Sequence, residues 1–118
     1  MASAVKNYRD LKIWQQGIEL VKQIYSLIRK FPKYETFGLA DQLRRSAVSV
    51  PSNIAEGQAR QYTGEFRQFL HTALGSAAEV DTQIVIAFEL GYITEQEAKD
   101  IEQRIVEIRK MTYSLINH

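Results

Sequence analysis

Cysteine is absent from all 118 residues. That excludes disulfides, thiolate nucleophiles and cysteine metal sites, and it suits a reducing cytoplasm. Histidine is scarce: His71 and His118 are the whole supply. Neither belongs to the Glu-x-x-His pair that di-metal sites in helical bundles require. His71 reads as a polar surface or core-edge group, and His118, the final residue, as mobile. The glycines at 17, 38, 57, 64, 75 and 91 are scattered, so no glycine-rich turn exists to cradle a nucleotide. No run approaches the roughly 20 apolar residues that span a bilayer, and MASAVKNYRD lacks the apolar core of a signal peptide. A membrane is therefore not an expected partner, and no cofactor or metal is expected.

What remains is ordinary for one globular domain: 45% hydrophobic and 25% charged residues. The net charge of +1 is unevenly spread. Residues 1–35 hold seven Lys/Arg against three Asp/Glu, residues 36–70 four against three, and residues 71–118 four against eight. Either oppositely charged helices lie side by side, or one face of a polar molecule suits phosphate.

The apolar spacing is helical throughout. Residues 1–9 read as a frayed tail, and 10–118 as the folded domain. Asp10 is a candidate cap for a first helix, in which Leu11, Trp14, Ile18, Val21, Tyr25 and Ile28 share a face. Ile13, Leu20, Ile24 and Leu27 widen that arc. Phe31-Pro32 ends it. A second helix is expected from Thr36 or Phe37 to about Arg60, with its stripe at Leu39, Leu43, Ala47, Val50 and Ile54. Pro51 lies inside it. An interior proline costs roughly 3 kcal/mol, and the unchanged spacing to Ile54 predicts a kink and not a break. Thr63 is a candidate cap for a third helix, with its stripe at Phe66, Leu70, Ala73, Ala77, Val80, Ile84 and Ala87. Gly75-Ser76-Ala77-Ala78 lets another backbone approach, and Gly91 suits a left-handed terminus. Thr94-Glu95-Gln96-Glu97 is a capping box with Ile93 as staple. Ile101, Ile105, Ile108, Thr112 and Leu115 follow it at heptad spacing. Four helices joined by short turns predict an all-α, up-down-up-down antiparallel bundle about 30–40 Å long.

Catalytic motifs are missing. Ser46, Ser49 and Ser52 have no base nearby in sequence, and helical serines commonly bond their own carbonyls. One polar constellation stands out. Arg45, Ser49, Ser52 and Glu56 share a face of the second helix, with Gln42, Ser46, Asn53, Gly57 and Arg60 beside it. Serine and asparagine are poor surface helix formers. Their concentration predicts a partly buried polar seam, bonded to another helix or another subunit. The basic residues gather at element ends: Arg29, Lys30 and Lys33 at the first turn, Arg60 and Arg67 at the second, and Arg44 and Arg45 one helix along. Tyr34 and Tyr62 stand beside these clusters, placed to stack on bases. Up-down packing puts the two turns at opposite ends, so RNA or DNA would need several copies aligned. The alternative is a scaffold for a protein partner, using the acidic fourth helix or an apolar groove.

The runs DLKIWQQGIELVKQIYSLIRKFP, FGLADQLRRSAVSVPSNIAEG and EFRQFLHTALGSAAEVDTQIVIAFELGYI carry a resemblance. Taken together, Arg44-Arg45, S-x-P-x-N-I-A-E-G at 49–57, F-x-x-F-L at 66–70 and L-G-Y at 90–92 resemble the bacterial four-helix-bundle family encoded in 23S ribosomal RNA intervening sequences. That family is also labelled S23 ribosomal protein. The resemblance spans about residues 8 to 116 and implies an up-down bundle assembling as a ring-like homopentamer. The family is also similar to the accessory variability protein of diversity-generating retroelements, which binds nucleic acid and a reverse transcriptase through a basic pentameric surface. Arg44, Arg45, Asn53 and Glu56 match the shared motif.

Overall fold

The computed structural model describes residues 7–60 and 62–117. Among them are four helices: α1, Lys12–Ile28; α2, Leu39–Gln58; α3, Thr63–Glu89; and α4, Glu95–Ile116. No described residue is in a strand. Each helix packs on its sequence neighbours and α4 closes back on α1, while no diagonal pair brings its backbones within 8 Å. This is the four-sided, up-down all-α bundle. Its longest dimension is 50 Å, beyond the expected length, because α3 alone runs 27 residues, about 40 Å at 1.5 Å per residue, and the turns project past it.

The buried stripe of α2, Leu39, Leu43, Ala47, Val50 and Ile54, is the one its spacing predicts. On α1 the arc is rotated from expectation. Ile13, Gly17, Leu20, Ile24 and Leu27 are buried, whereas Tyr25 is exposed and the rest of the expected leading stripe is half-buried. The rotation follows from Gly17. A Cβ there would sit 3.1 Å from Pro51 Cβ, so the α1 backbone rests against the buried proline ring of α2. α2 continues unbroken through Pro51. The ring, which has no N–H to satisfy, fills space against a residue with no side chain.

Two expected caps are corrected. Asp10 does not cap α1. It closes a 3-10 turn, Tyr8–Asp10, whose own cap is Asn7 accepting from Arg9 N at 2.8 Å. Tyr8 packs on Trp14 with ring centroids 5.4 Å apart, and Gln15 Nε2 donates to Arg9 O. Residues 7–9 of the expected tail take part in this turn, while residues 1–6 of that tail and the expected mobile His118 lie outside the described residues. Thr63 is the first residue of α3 and not its cap. Tyr62 takes the extended cap conformation and makes no side-chain capping hydrogen bond.

The later termini match their local signals. Gly91 has φ 78°, its N–H bonds Phe88 O, and Tyr92 N–H bonds Ala87 O. These are the paired bonds of a Schellman terminus. At α4, Glu97 N donates to Thr94 Oγ1 at 3.1 Å and Thr94 N to Glu97 Oε1 at 2.9 Å, over a buried Ile93.

Candidate functional site

Two regions gather the polar side chains that the core does not use. The first is the seam between α2 and α3. Ser46 Oγ lies 2.6 Å from Gln83 Oε1 and 2.9 Å from Gln42 O. Ser49 Oγ lies 2.8 Å from Ser76 Oγ and accepts from Asn53 Nδ2 at 2.8 Å. Ser46, Ser76 and Gln83 are buried. Small residues let the helices approach, and every buried polar atom among the described side chains finds a partner. Gly57 belongs to the same contact, since a Cβ on it would fall 2.6 Å from Phe69 Cβ. Of the side chains expected in a seam, Ser49 and Asn53 bond here. Arg45, Ser52 and Glu56 do not: all three are exposed on the protomer. The line at steps of four and three faces solvent except at Ser49, which stands at its α3 edge, and the line one residue over, through Ser46, faces α3.

The second region is the end of the bundle formed by the first and third interhelical turns. The Glu35 carboxylate accepts from Leu39 N at 2.9 Å, capping α2, and from Tyr92 Oη at 2.8 Å. These two hydrogen bonds, the backbone one first, hold Glu35 below the usual carboxylate range. Tyr92 Oη also meets Tyr34 Oη at 3.2 Å. The Tyr34 bond and then the Glu35 bond raise the Tyr92 phenol above its ordinary value. Phe31 packs tilted against Tyr92, at 47°, with ring centroids 5.2 Å apart. Lys30 Nζ lies 2.6 Å from both Glu97 oxygens, which lowers the Glu97 pKa. The clasp ties L-G-Y at 90–92 to the chain entering α2. It also explains Gly38, where a Cβ would meet Glu35 Oε1 at 2.6 Å.

The basic residues fall into distinct situations. Arg29 and Lys33 are exposed at the clasped end and have no ion pair among the described residues. Lys30 is committed to Glu97. Arg44 is half-buried and donates to Thr36 O at 3.0 Å and to Asp41 at 3.3 Å. Arg45 reaches Asp41 at 2.9 Å with its side chain 81% exposed. Asp41 is held below its ordinary pKa, chiefly by the Arg45 hydrogen bond. At the opposite end Arg60 pairs with Glu56 at 3.2 Å and Glu65 at 3.7 Å and lies over the Phe69 ring, while Arg67 is exposed. The structure separates Arg60 and Arg67 from the other five. Sequence reasoning missed Ser76 and Gln83 as seam partners, the Glu35–Tyr92 clasp, and Arg104, which donates to Gln16 and Gln23 between α4 and α1.

The clasp and seam define a helical-bundle class whose distinctive residues serve helix contacts and turns. Among the described residues no three His, Cys, Asp or Glu side chains form a metal-sized group, and no helix is long and apolar enough to cross a membrane. The chain belongs to the 23S rRNA-intervening sequence protein family, whose model matches residues 9–114. It is similar to the crystal structure of a protein of unknown function from the S23 ribosomal protein family of Bacteroides thetaiotaomicron. The two share 25% identity over 90% of this chain and 99% of that one, with a TM-score of 0.82. No curated protein matches the chain.

Proposed function

We propose that this chain is a non-enzymatic, cytoplasmic homo-oligomer, pentameric as the family resemblance implies, that binds single-stranded RNA or DNA at its clasped end. One observation carries the reading. The first turn holds Tyr34 at 77% and Phe37 at 93% exposure, beside exposed Arg29 and Lys33. Cations beside solvent-facing aromatic rings are the pairing used to hold single strands, phosphate to charge and base to ring. The clasp fixes the base of this turn, so the rings are displayed on a rigid support.

One copy offers two free cations there, too few for useful affinity. Cyclic assembly points every copy's first turn the same way and multiplies the contacts. Arg44, Lys30 and Arg60 are already engaged in the protomer and serve packing in this reading.

The test is fluorescence anisotropy of a labelled single-stranded RNA over a salt series. Affinity should fall with a log–log slope of about −0.7 per phosphate contact. Arg29→Ala with Lys33→Ala should flatten the slope, and Tyr34→Ala with Phe37→Ala should weaken binding at every salt concentration. Binding that ignores both pairs, or no binding by an intact oligomer, overturns the proposal. Binding of a protein partner that survives nuclease and high salt would favour the scaffold reading, to which the same exposed Phe37 also lends itself.

A further inference from the structure

The bundle has four sides, and they are not alike. Two opposite sides are closed by their own hydrogen bonds: α2–α3 by the serine seam, and α4–α1 by Arg104 with Gln16 and Gln23. The other two leave apolar side chains in water. On the α1–α2 side Tyr25 is 42% and Val48 40% exposed, flanking an open cleft that Arg44 and Arg45 also line. On the α3–α4 side Val85 is 53% exposed, with exposed Phe88 and Val106.

These two sides differ in charge. Around Tyr25 and Val48, helical spacing places Lys22, Arg44 and Arg45 against Asp41. Lys22 has only a surface pair with Glu19, at 3.2 Å. Around Val85 and Phe88 stand Asp81 and Glu89 of α3 and Glu95 and Glu102 of α4 against Lys99, while Arg109 and Lys110 come further along α4, in the cleft that Val106 lines. Tyr25 stands three residues before the end of α1 and Val85 four before the end of α3, both near the clasped end.

We infer that the α1–α2 face of one copy docks on the α3–α4 face of the next, a head-to-tail contact between two different surfaces. The occupant is a second copy of this chain because both patches expose apolar area and each carries an excess of the charge opposite to the other's. Size permits it. One side is roughly a quarter of the 7385 Å² surface, more than the roughly 800 Å² per partner of a standard interface. Contacts of this kind repeat from copy to copy, and with parallel axes they present every first turn on one rim. The inference rests on the assembly proposed above and adds the faces that make it.

The test uses two charge insertions at exposed positions, each like in sign to the surface it would meet: Val48→Glu and Val85→Arg. Helicity and melting temperature check folding, and light scattering gives mass. The wild-type chain should be a multimer, and each variant alone should fall toward 13.6 kDa. Mixing the two should restore a dimer, because the intact α3–α4 face of Val48→Glu meets the intact α1–α2 face of Val85→Arg. Variants that stay multimeric, or that dissociate and fail to pair when mixed, overturn the face assignment while assembly stands. A monomeric wild-type chain removes the assembly itself.

Discussion

Replacing Gly57 by alanine should destabilise the bundle, although alanine is the better helix former. Gly57 lies in the last turns of α2, facing the start of α3. A Cβ on it would sit 2.6 Å from Phe69 Cβ, 3.2 Å from Phe66 Cδ1 and 3.3 Å from Phe66 O. Carbon atoms settle about 3.5–4.0 Å apart, so the first contact overlaps by roughly an ångström. Phe69 Cβ is fixed to the backbone, and relief requires α3 to move off α2, loosening the packing around Leu70 and Ala73. Overpacking costs about 1–3 kcal/mol, and a contact with no flexible end belongs near the top of that range. Alanine returns about 1 kcal/mol of helix propensity, leaving about 2 kcal/mol of net destabilisation. At roughly 4 °C per kcal/mol for a domain of this size, the melting temperature falls by roughly 8 °C. Gly75→Ala is the matched control. It is exposed within α3 with nothing within 4 Å of its Cβ, so it should gain about 1 kcal/mol and roughly 4 °C. Thermal unfolding followed by circular dichroism, at one protein concentration, reads both. If the two variants shift in the same direction, the close approach of α2 and α3 at Gly57 is wrong.

Two further predictions follow from the seam and the clasp. Ser46→Ala strands the Gln83 amide oxygen and should cost about 1–3 kcal/mol, while adding Gln83→Leu should recover part of it; strict additivity in the double-mutant cycle would mean the two side chains do not interact. Glu35, Asp41 and Glu97 have carboxyl pKa values lowered by folding from ordinary values of 4.5, 3.8 and 4.5. The unfolded chain therefore takes up protons first, and their stabilisation, complete above those ordinary values, is lost as pH falls through the lowered ones. The melting temperature should drop across that acid window, and less steeply for Glu35→Gln; identical curves for wild type and variant would rule out the clasp as a contributor.

Features coded by neighbours in the chain were legible in the sequence. The Thr94–Glu97 box, the Gly91 terminus and the α2 stripe each depend on residues within a turn or two of one another. What failed depended on another helix. The α1 arc is rotated because Gly17 meets Pro51, a contact between residues 34 positions apart. Asp10 and Thr63 have the right chemistry for caps, yet the extended residues Leu11 and Tyr62 occupy the cap positions of α1 and α3. At the candidate site the serine-rich surface of α2 signalled burial; of the small run expected to admit another backbone only Ser76 and Ala77 are buried, while Gly75 meets nothing within 4 Å, and Ser76 and Gln83 become partners only through the α2–α3 register. The Glu35–Tyr92 bond spans 57 residues and left no local signal beyond the L-G-Y motif itself.

The proposed role requires that copies join before their first-turn cations and rings form a usable surface. Sedimentation velocity of the wild-type chain at micromolar concentration tests that directly. A particle near five times the 13.6 kDa protomer mass is the expected result; a single species at the protomer mass, with the helices intact, would contradict it.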